Sequence, residues 1–278
     1  MTVGATGGAT LPRLALSRAT IELKSFFRDS QAAVFTFLLP VMLLIVFSAV
    51  FRGSIGGPPG QPSLPFRQYF AAGMIASGIV SAAFTTVAIS VAVEQHDGTL
   101  KRLAGTPLPK GAYFAGKVLA ATALAFLSSG LMLAVGVLAY DLDLPASAGR
   151  WLALVWVPVL GIASCCLIGL AYTRLIDTAK GAAAVVMAPY LLLQFTSGVF
   201  FVFSDLPQWM QRLAALFPLK WVAQGLRYAL LPDWVAANEP AQRWELGRVA
   251  AVLVAWSIAG AVLARATFRW DRSDIPQA

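Results

Sequence analysis

The side chains able to do chemistry fall into a few groups. Gly111, Gly116, Lys117 and Val118 read G-x-x-x-x-G-K-V, one residue short of the phosphate-binding loop G-x-x-x-x-G-K-[ST]. Such a loop wraps phosphates in free backbone N–H groups and offers magnesium a hydroxyl. Here Tyr113 and Phe114 fill the loop, Val118 replaces the hydroxyl residue, and an apolar run follows at once. That stretch is not expected to bind ATP. His96 is the single histidine, and no H-E-x-x-H accompanies it, so an acid/base or metal centre has no material. A solvated loop position is the plainer account of it. Cys165 and Cys166 are adjacent within an apolar run, which suits neither a metal site nor an ordinary disulfide. Gly161, Cys165 and Gly169 fall four apart, a small-residue stripe that lets helices approach closely. Finally, Glu94, Gly98 and Arg102 are also four apart, on one face of a helix where a partner reads them together. Leu103 lies near that face.

The elements that must hold these residues follow from composition. Hydrophobic residues make up 58% of 278 residues and charged residues 12%, with a mean hydropathy of +0.73. A soluble chain of this size needs more polar surface. The reading is an all-α integral membrane protein. A spanning helix needs about 20 mostly apolar residues, and six stretches qualify: Ala33–Phe51, Tyr69–Val93, Val118–Ala139, Leu152–Tyr172, Gly181–Phe203 and 247–267, the last around a core at Val249–Ala264. None of these cores holds Asp, Glu, Lys, Arg or His. The chain reads as a single transmembrane domain over 1–278. No cleavable signal peptide is visible, so the first span is expected to start insertion.

Net charge is +8, which in a soluble protein would raise nucleic acid as a partner. No basic run exceeds two residues, and the cations flank the spans. With the N-terminus inside, thirteen of the 21 Lys and Arg fall on the cytoplasmic side and eight outside. Short loops decide orientation, so both termini are expected inside.

Three segments lie outside the spans. Leu14–Asp29 places Leu16, Ala19, Leu23, Phe26 and Phe27 at helical spacing, opposite Arg18, Glu22, Ser25 and Asp29. This predicts an amphipathic helix lying in the membrane interface, with Arg18 and Glu22 set for an i,i+4 pair. Glu94–Lys117 opens with a short helix that Thr106-Pro107 and Pro109 end. Leu100 and Leu103 give it an apolar side, with Glu94, Asp97, Lys101 and Arg102 in water. Residues 204–246 predict an outer helical hairpin. Leu206, Trp209, Met210, Leu213, Leu216 and Phe217 form one stripe of it; Lys220, Gln224 and Arg227 form the polar side of its second piece.

A secondary transporter usually keeps ionisable groups in its spans, and a channel shows a charged ring or filter. Neither pattern is present here. The chain resembles the permeases of ABC-2 type exporters. Three segments carry the likeness: R-A-T-I-E-L-K-S-F-F-R-D-S (Arg18–Ser30), E-Q-H-D-G-T-L-K-R-L-A-G-T-P (Glu94–Pro107), close to the family's E-x-x-x-G-T-x-x-x-L-x-x-T-P, and Ser197–Arg227. Phe217-Pro218 departs from the family's usual N-P. The resemblance implies an exporter subunit with six spans, an N-terminal interface helix, a cytoplasmic coupling helix and an extracellular hairpin before the last span. It implies two separate cytoplasmic ATPase subunits that carry the ATP and Mg, with no cofactor in this chain. It also implies a second permease copy or paralogue, and a cell (plasma or inner) membrane location. It assigns ATPase coupling to Glu94, Gly98, Thr99, Arg102, Leu103, Thr106 and Pro107, and the interface helix to Arg18, Glu22, Arg28 and Asp29. Uncharged spans suggest an apolar or amphipathic passenger: a drug, an antibiotic or a lipid. The G-T-L-K-R-L-A-G-T-P loop lies nearer the drug-exporting branch than the branch moving polysaccharide or glycolipid.

Overall fold

The computed structural model describes residues 10–51, 53–56, 60 and 63–267. The amphipathic segment forms α1 (Leu11–Arg28), started by Pro12 in its first turn and ended at Asp29, whose N–H returns to the carbonyls of Ser25 and Phe26. The apolar α2 (Ser30–Val50) follows directly, with Pro40 inside it. A two-residue antiparallel pairing of Ser54–Ile55 with Leu64–Pro65 closes the next loop. Then comes one long helical rod: α3 (Phe66–Val80), a π-helical turn at Ser81–Thr85, and α4 (Thr86–His96). It is the buried axis of the molecule, since nearly all of α3 is covered.

The remaining helices pack on this axis or on one another. They are α5 (Thr99–Ala104), α6 (Lys110–Tyr140), α7 (Ala148–Tyr172), α8 (Ala182–Thr196), α9 (Gln208–Ala215), α10 (Pro218–Leu230) and α11 (Leu246–Thr267). Ser147 caps α7 by accepting from the Arg150 N–H, and Pro218 opens α10. The small-residue stripe on α7 does what its spacing predicts. A Cβ at Gly161 would meet Val222 Cγ2 of α10 at 2.7 Å, and one at Gly169 would meet the Phe84 carbonyl at 3.0 Å. Cys165 and Cys166 are both free and buried.

Among the described residues, five helices are long and apolar enough to cross a membrane: Ala33–Val50, Phe66–His96, Lys110–Tyr140, Ala148–Leu175 and Leu246–Ala266. The expected span at Gly181–Phe203 is not one unbroken helix. Its helix stops at Thr196 after 15 residues, about 22 Å at 1.5 Å per residue against a hydrocarbon core of about 30 Å. The chain then leaves the helix because Gly198 takes φ +72°, which places its carbonyl against Arg227.

Two helices turn their polar sides the opposite way from the expectation. In α1, Arg18 and Glu22 face α6, whereas Leu16 and Phe27 are exposed. In α10, Lys220, Gln224 and Arg227 are buried together with the apolar residues. On α9, Trp209 is exposed alongside Gln208 and Arg212, while Met210 and Leu213 are half-buried. In a chain surrounded by lipid, apolar side chains gain little by facing inward. Charged ones gain most by finding partners inside.

Candidate functional site

The site grows from the end of α4. Glu94 is not a solvated loop residue: its side chain is 16% accessible and points inward. Oε1 accepts from Arg18 Nη2 at 2.8 Å and from Lys117 Nζ at 2.9 Å, and Oε2 accepts from the Tyr113 hydroxyl at 2.6 Å. Lys117 Nζ also donates to Glu22 Oε2 at 2.8 Å and to Ser90 Oγ at 3.2 Å. Arg18 pairs with Glu22 one turn along α1, and its guanidinium lies 5.3 Å from the Tyr113 ring centre. Two cations therefore meet two carboxylates, with Lys117 only 2% accessible. Charges this buried are tolerated when each is paired and hydrogen-bonded.

Local sequence explains how three helices come this close. Ala15 and Ala19 are the buried residues of α1, and they lie along α6. Gly116 on α6 leaves room for the Arg18 stem, since a Cβ there would sit 2.6 Å from Arg18 Cβ and Cγ. The near-miss phosphate motif lies within α6: Gly111 through Lys117 is helical, and Lys117 is an ion-pair partner.

The Glu94–Lys117 segment breaks just past Glu94. Gly98 adopts φ +76°, so α4 and α5 are separate helices. Glu94, Gly98 and Arg102 therefore do not share one helical face, which corrects the four-apart reading. Among the described residues, and apart from its chain neighbours, nothing lies within 4 Å of a Cβ placed at Gly98. Backbone conformation explains glycine there within this chain. Asp97 Oδ1 caps the turn by accepting from the Thr99 N–H at 2.9 Å, and Thr99 Oγ1 accepts from Arg102 Nη2 at 3.2 Å. Thr106 Oγ1 donates to the Leu103 carbonyl at 2.7 Å, just before Pro107. Leu100 is fully buried and Leu103 partly, so they root α5 while Arg102, Thr106 and Pro107 remain exposed. His96 is more than a solvated residue: its Nε2 lies 3.3 Å from the Ile176 carbonyl, linking the end of α4 to the α7–α8 connection. Arg28 and Asp29 stay outside the ion cluster, exposed at the end of α1.

A second polar cluster lies at the opposite end of the α3–α4 rod. Arg227, 1% accessible, donates to the Gly198 carbonyl, with its guanidinium carbon 3.9 Å from the Tyr69 ring centre. Glu239 lies 3.6 Å from Arg227 Nη1 and 3.5 Å from Lys220 Nζ. Lys220 Nζ donates to Gln224 Oε1 at 2.9 Å and sits 3.8 Å from the Trp221 ring centre. Burial lowers the Lys220 ammonium below its ordinary pKa, and the Glu239 carboxylate opposes that shift. Sequence reasoning missed Tyr113, Ser90 and Lys117 in the first cluster, and missed the second entirely. The signals were faint: Lys220, Gln224 and Arg227 at i, i+4 and i+7, and a lysine immediately before an apolar run.

A sequence model of the ABC-2 type transporter family matches residues 16–231, which takes in most of α1, the Glu94–Lys117 segment and α10. The inner membrane transport permease YadH of Escherichia coli (strain K12) is 25% identical over 217 residues, 76% of this chain and 82% of that protein. The putative transport permease YvfS of Bacillus subtilis (strain 168) is 22% identical over 201 residues, 71% of this chain and 77% of that protein. The probable multidrug ABC transporter permease YbhR of Escherichia coli (strain K12) is 28% identical over 163 residues, 58% of this chain and 43% of that protein. With apolar helices of spanning length and a family match over most of its length, the chain belongs to the ABC-2 type transporter family and is a multi-pass membrane subunit of an ABC transporter.

Proposed function

We propose that this permease exports an apolar or amphipathic passenger, a drug, an antibiotic or a lipid, across the cell (inner) membrane. Two permeases, identical or paralogous, work with two cytoplasmic ATPase subunits that hold the ATP and Mg. Both termini face the cytoplasm. One observation carries the coupling part of this reading: the root of the Glu94–Lys117 segment is ion-paired to α1 and α6 at once. A push on α5 from a docked ATPase therefore reaches three helices through Glu94, while Arg102, Thr106 and Pro107 stay available for contact. The multidrug name of the YbhR relative supports a drug passenger.

The test substitutes the docking surface without straining the backbone. Asparagine accepts positive φ far better than most residues, so Gly98→Asn keeps the turn but adds bulk toward the partner. Arg102→Glu reverses an exposed charge. Tagged permease from native membranes is expected to retain its ATPase about ten-fold less in either variant, with matching loss of dye export and unchanged thermal stability. Full ATPase retention and full export in both variants would overturn the coupling assignment.

A further inference from the structure

The two faces of α1 differ in chemistry. Toward α6 the helix turns Ala15 and Ala19, with Arg18 and Glu22 in the ion cluster. The side turned away from the chain carries a stripe that the cluster does not use. Arg13, Ser17, Lys24 and Arg28 are all exposed, at spacings of four, seven and four. At about 100° per residue they fall within an arc of about 60°, and at about 1.5 Å per residue the stripe is about 22 Å long. Leu16 and Phe27 border it on one side and Ile21 on the other, each roughly half exposed or more.

No acid of α1 balances this stripe. Glu22 is the one carboxylate within the helix, and it faces inward to Arg18 and Lys117. Asp29 follows Arg28 but ends the helix about 100° further round. Among the described residues, Arg13, Lys24 and Arg28 take part in no ion pair. Position along the chain sets the depth of the stripe. Asp29 alone separates α1 from α2, whose membrane-spanning window begins at Ala33. Arg28 therefore stands within a few residues of the hydrocarbon, in the layer that lipid headgroups occupy. Cations beside exposed aliphatic and aromatic side chains suit that layer: the charges meet phosphates while the apolar residues enter the acyl boundary.

We propose that the outward face of α1 binds anionic phospholipid. Arg13, Lys24 and Arg28 take the phosphates, Ser17 adds a hydroxyl donor, and Leu16, Ile21 and Phe27 pack on the acyl chains. The opposite face of the same helix holds Glu94 through Arg18, so a bound headgroup steadies α1 from the side that α6 does not reach. This goes beyond the exporter reading and depends on neither the passenger nor its direction of travel.

The full chain in mild detergent, without any ATPase, is offered equimolar phosphatidylglycerol and phosphatidylcholine with matched acyl chains, and retained lipid is counted by native mass spectrometry. The wild type is expected to prefer phosphatidylglycerol by about five-fold or more, since each cation near an anionic surface contributes about that factor. Lys24→Gln/Arg28→Gln is expected to lose most of the preference. Arg174→Gln/Lys180→Gln removes the same charge from two exposed cations of the α7–α8 connection and is expected to keep it. Phosphatidylglycerol is also expected to raise the melting temperature of the wild type and of this second pair more than that of Lys24→Gln/Arg28→Gln. If that variant does not elute as a single species, Arg13→Gln tests the far end of the stripe in the same way. Equal retention of the two lipids by the wild type, or an unchanged preference in the α1 variants, overturns the proposal. An equal loss in both pairs also overturns it, by assigning the preference to net charge alone. An unchanged lipid preference in Lys24→Gln/Arg28→Gln with about ten-fold less ATPase retained from native membranes gives this face to the ATPase and overturns it as well.

Discussion

The Glu94 carboxylate accepts from Arg18, Lys117 and Tyr113, residues 76, 23 and 19 positions away. Glu94→Gln leaves two cations facing Glu22 alone, and Lys117→Met leaves two carboxylates facing Arg18 alone. Removing one partner of a buried pair typically costs about 3–5 kcal/mol. The double variant Glu94→Gln/Lys117→Met returns the cluster to one cation and one carboxylate, Arg18 and Glu22. Its loss is therefore expected to fall short of the sum of the single losses by about 1–3 kcal/mol. Thermal unfolding of the four proteins in detergent, followed by tryptophan fluorescence, measures this; additive losses would show that the two charges are not coupled. Glu94 stood out in the sequence, but its direction did not. The spacing from Glu94 through Gly98 to Arg102 assumed an unbroken helix, and the positive φ at Gly98 depends on how α5 tucks Leu100 into the core.

Among the elements, α1 and α6 pack as tightly as their small residues permit. A methyl group added at Gly116 overlaps the Arg18 stem at 2.6 Å, whereas one at Gly111 meets Leu11 Cδ1 at an ordinary 3.7 Å. Gly116→Ala is therefore expected to push α1 away and to destabilise by about 1–3 kcal/mol. Gly111→Ala is expected to be neutral, or to stabilise by up to about 1 kcal/mol through helix propensity. Equal melting temperatures for the two variants would show that the helices do not depend on this contact. The helical pattern of α1 was legible from its periodicity, with ends within three residues of those observed. Which side faced the protein was not legible, because periodicity separates polar from apolar without saying which of them meets lipid.

At the scale of the whole molecule, α8 has 15 residues and is too short to cross a bilayer by itself. Residues 197–202 continue beyond it without helix, buried as far as Phe200; the Gly198 carbonyl accepts from Arg227, and the Phe203 N–H donates to the Tyr69 hydroxyl. Irregular backbone is tolerated at membrane depth when it is satisfied within the protein in this way. The proposed cytoplasmic placement of both termini requires α8 and this stretch to cross together. Single cysteines at Ser147 and Asn238, in a Cys165→Ser/Cys166→Ser background, are then expected to label from outside, and one at Asp177 is not. Outside labelling at Asp177 with protection at Ser147 would reverse the arrangement.

The sequence by itself determined the solvent, the helical class and the family resemblance. A run of about 20 apolar residues has few other uses, and the Glu94–Pro107 and Ser197–Arg227 motifs are contiguous enough to be read along the chain. Tertiary structure alone decided what the charges do. Read along the chain, Arg18, Glu22, Glu94 and Lys117 do not show that they meet, and neither do Lys220, Arg227 and Glu239. Their meaning lies in pairings across as many as 95 positions, which form because an ion beside lipid is stabilised only by the partner that the fold brings to it.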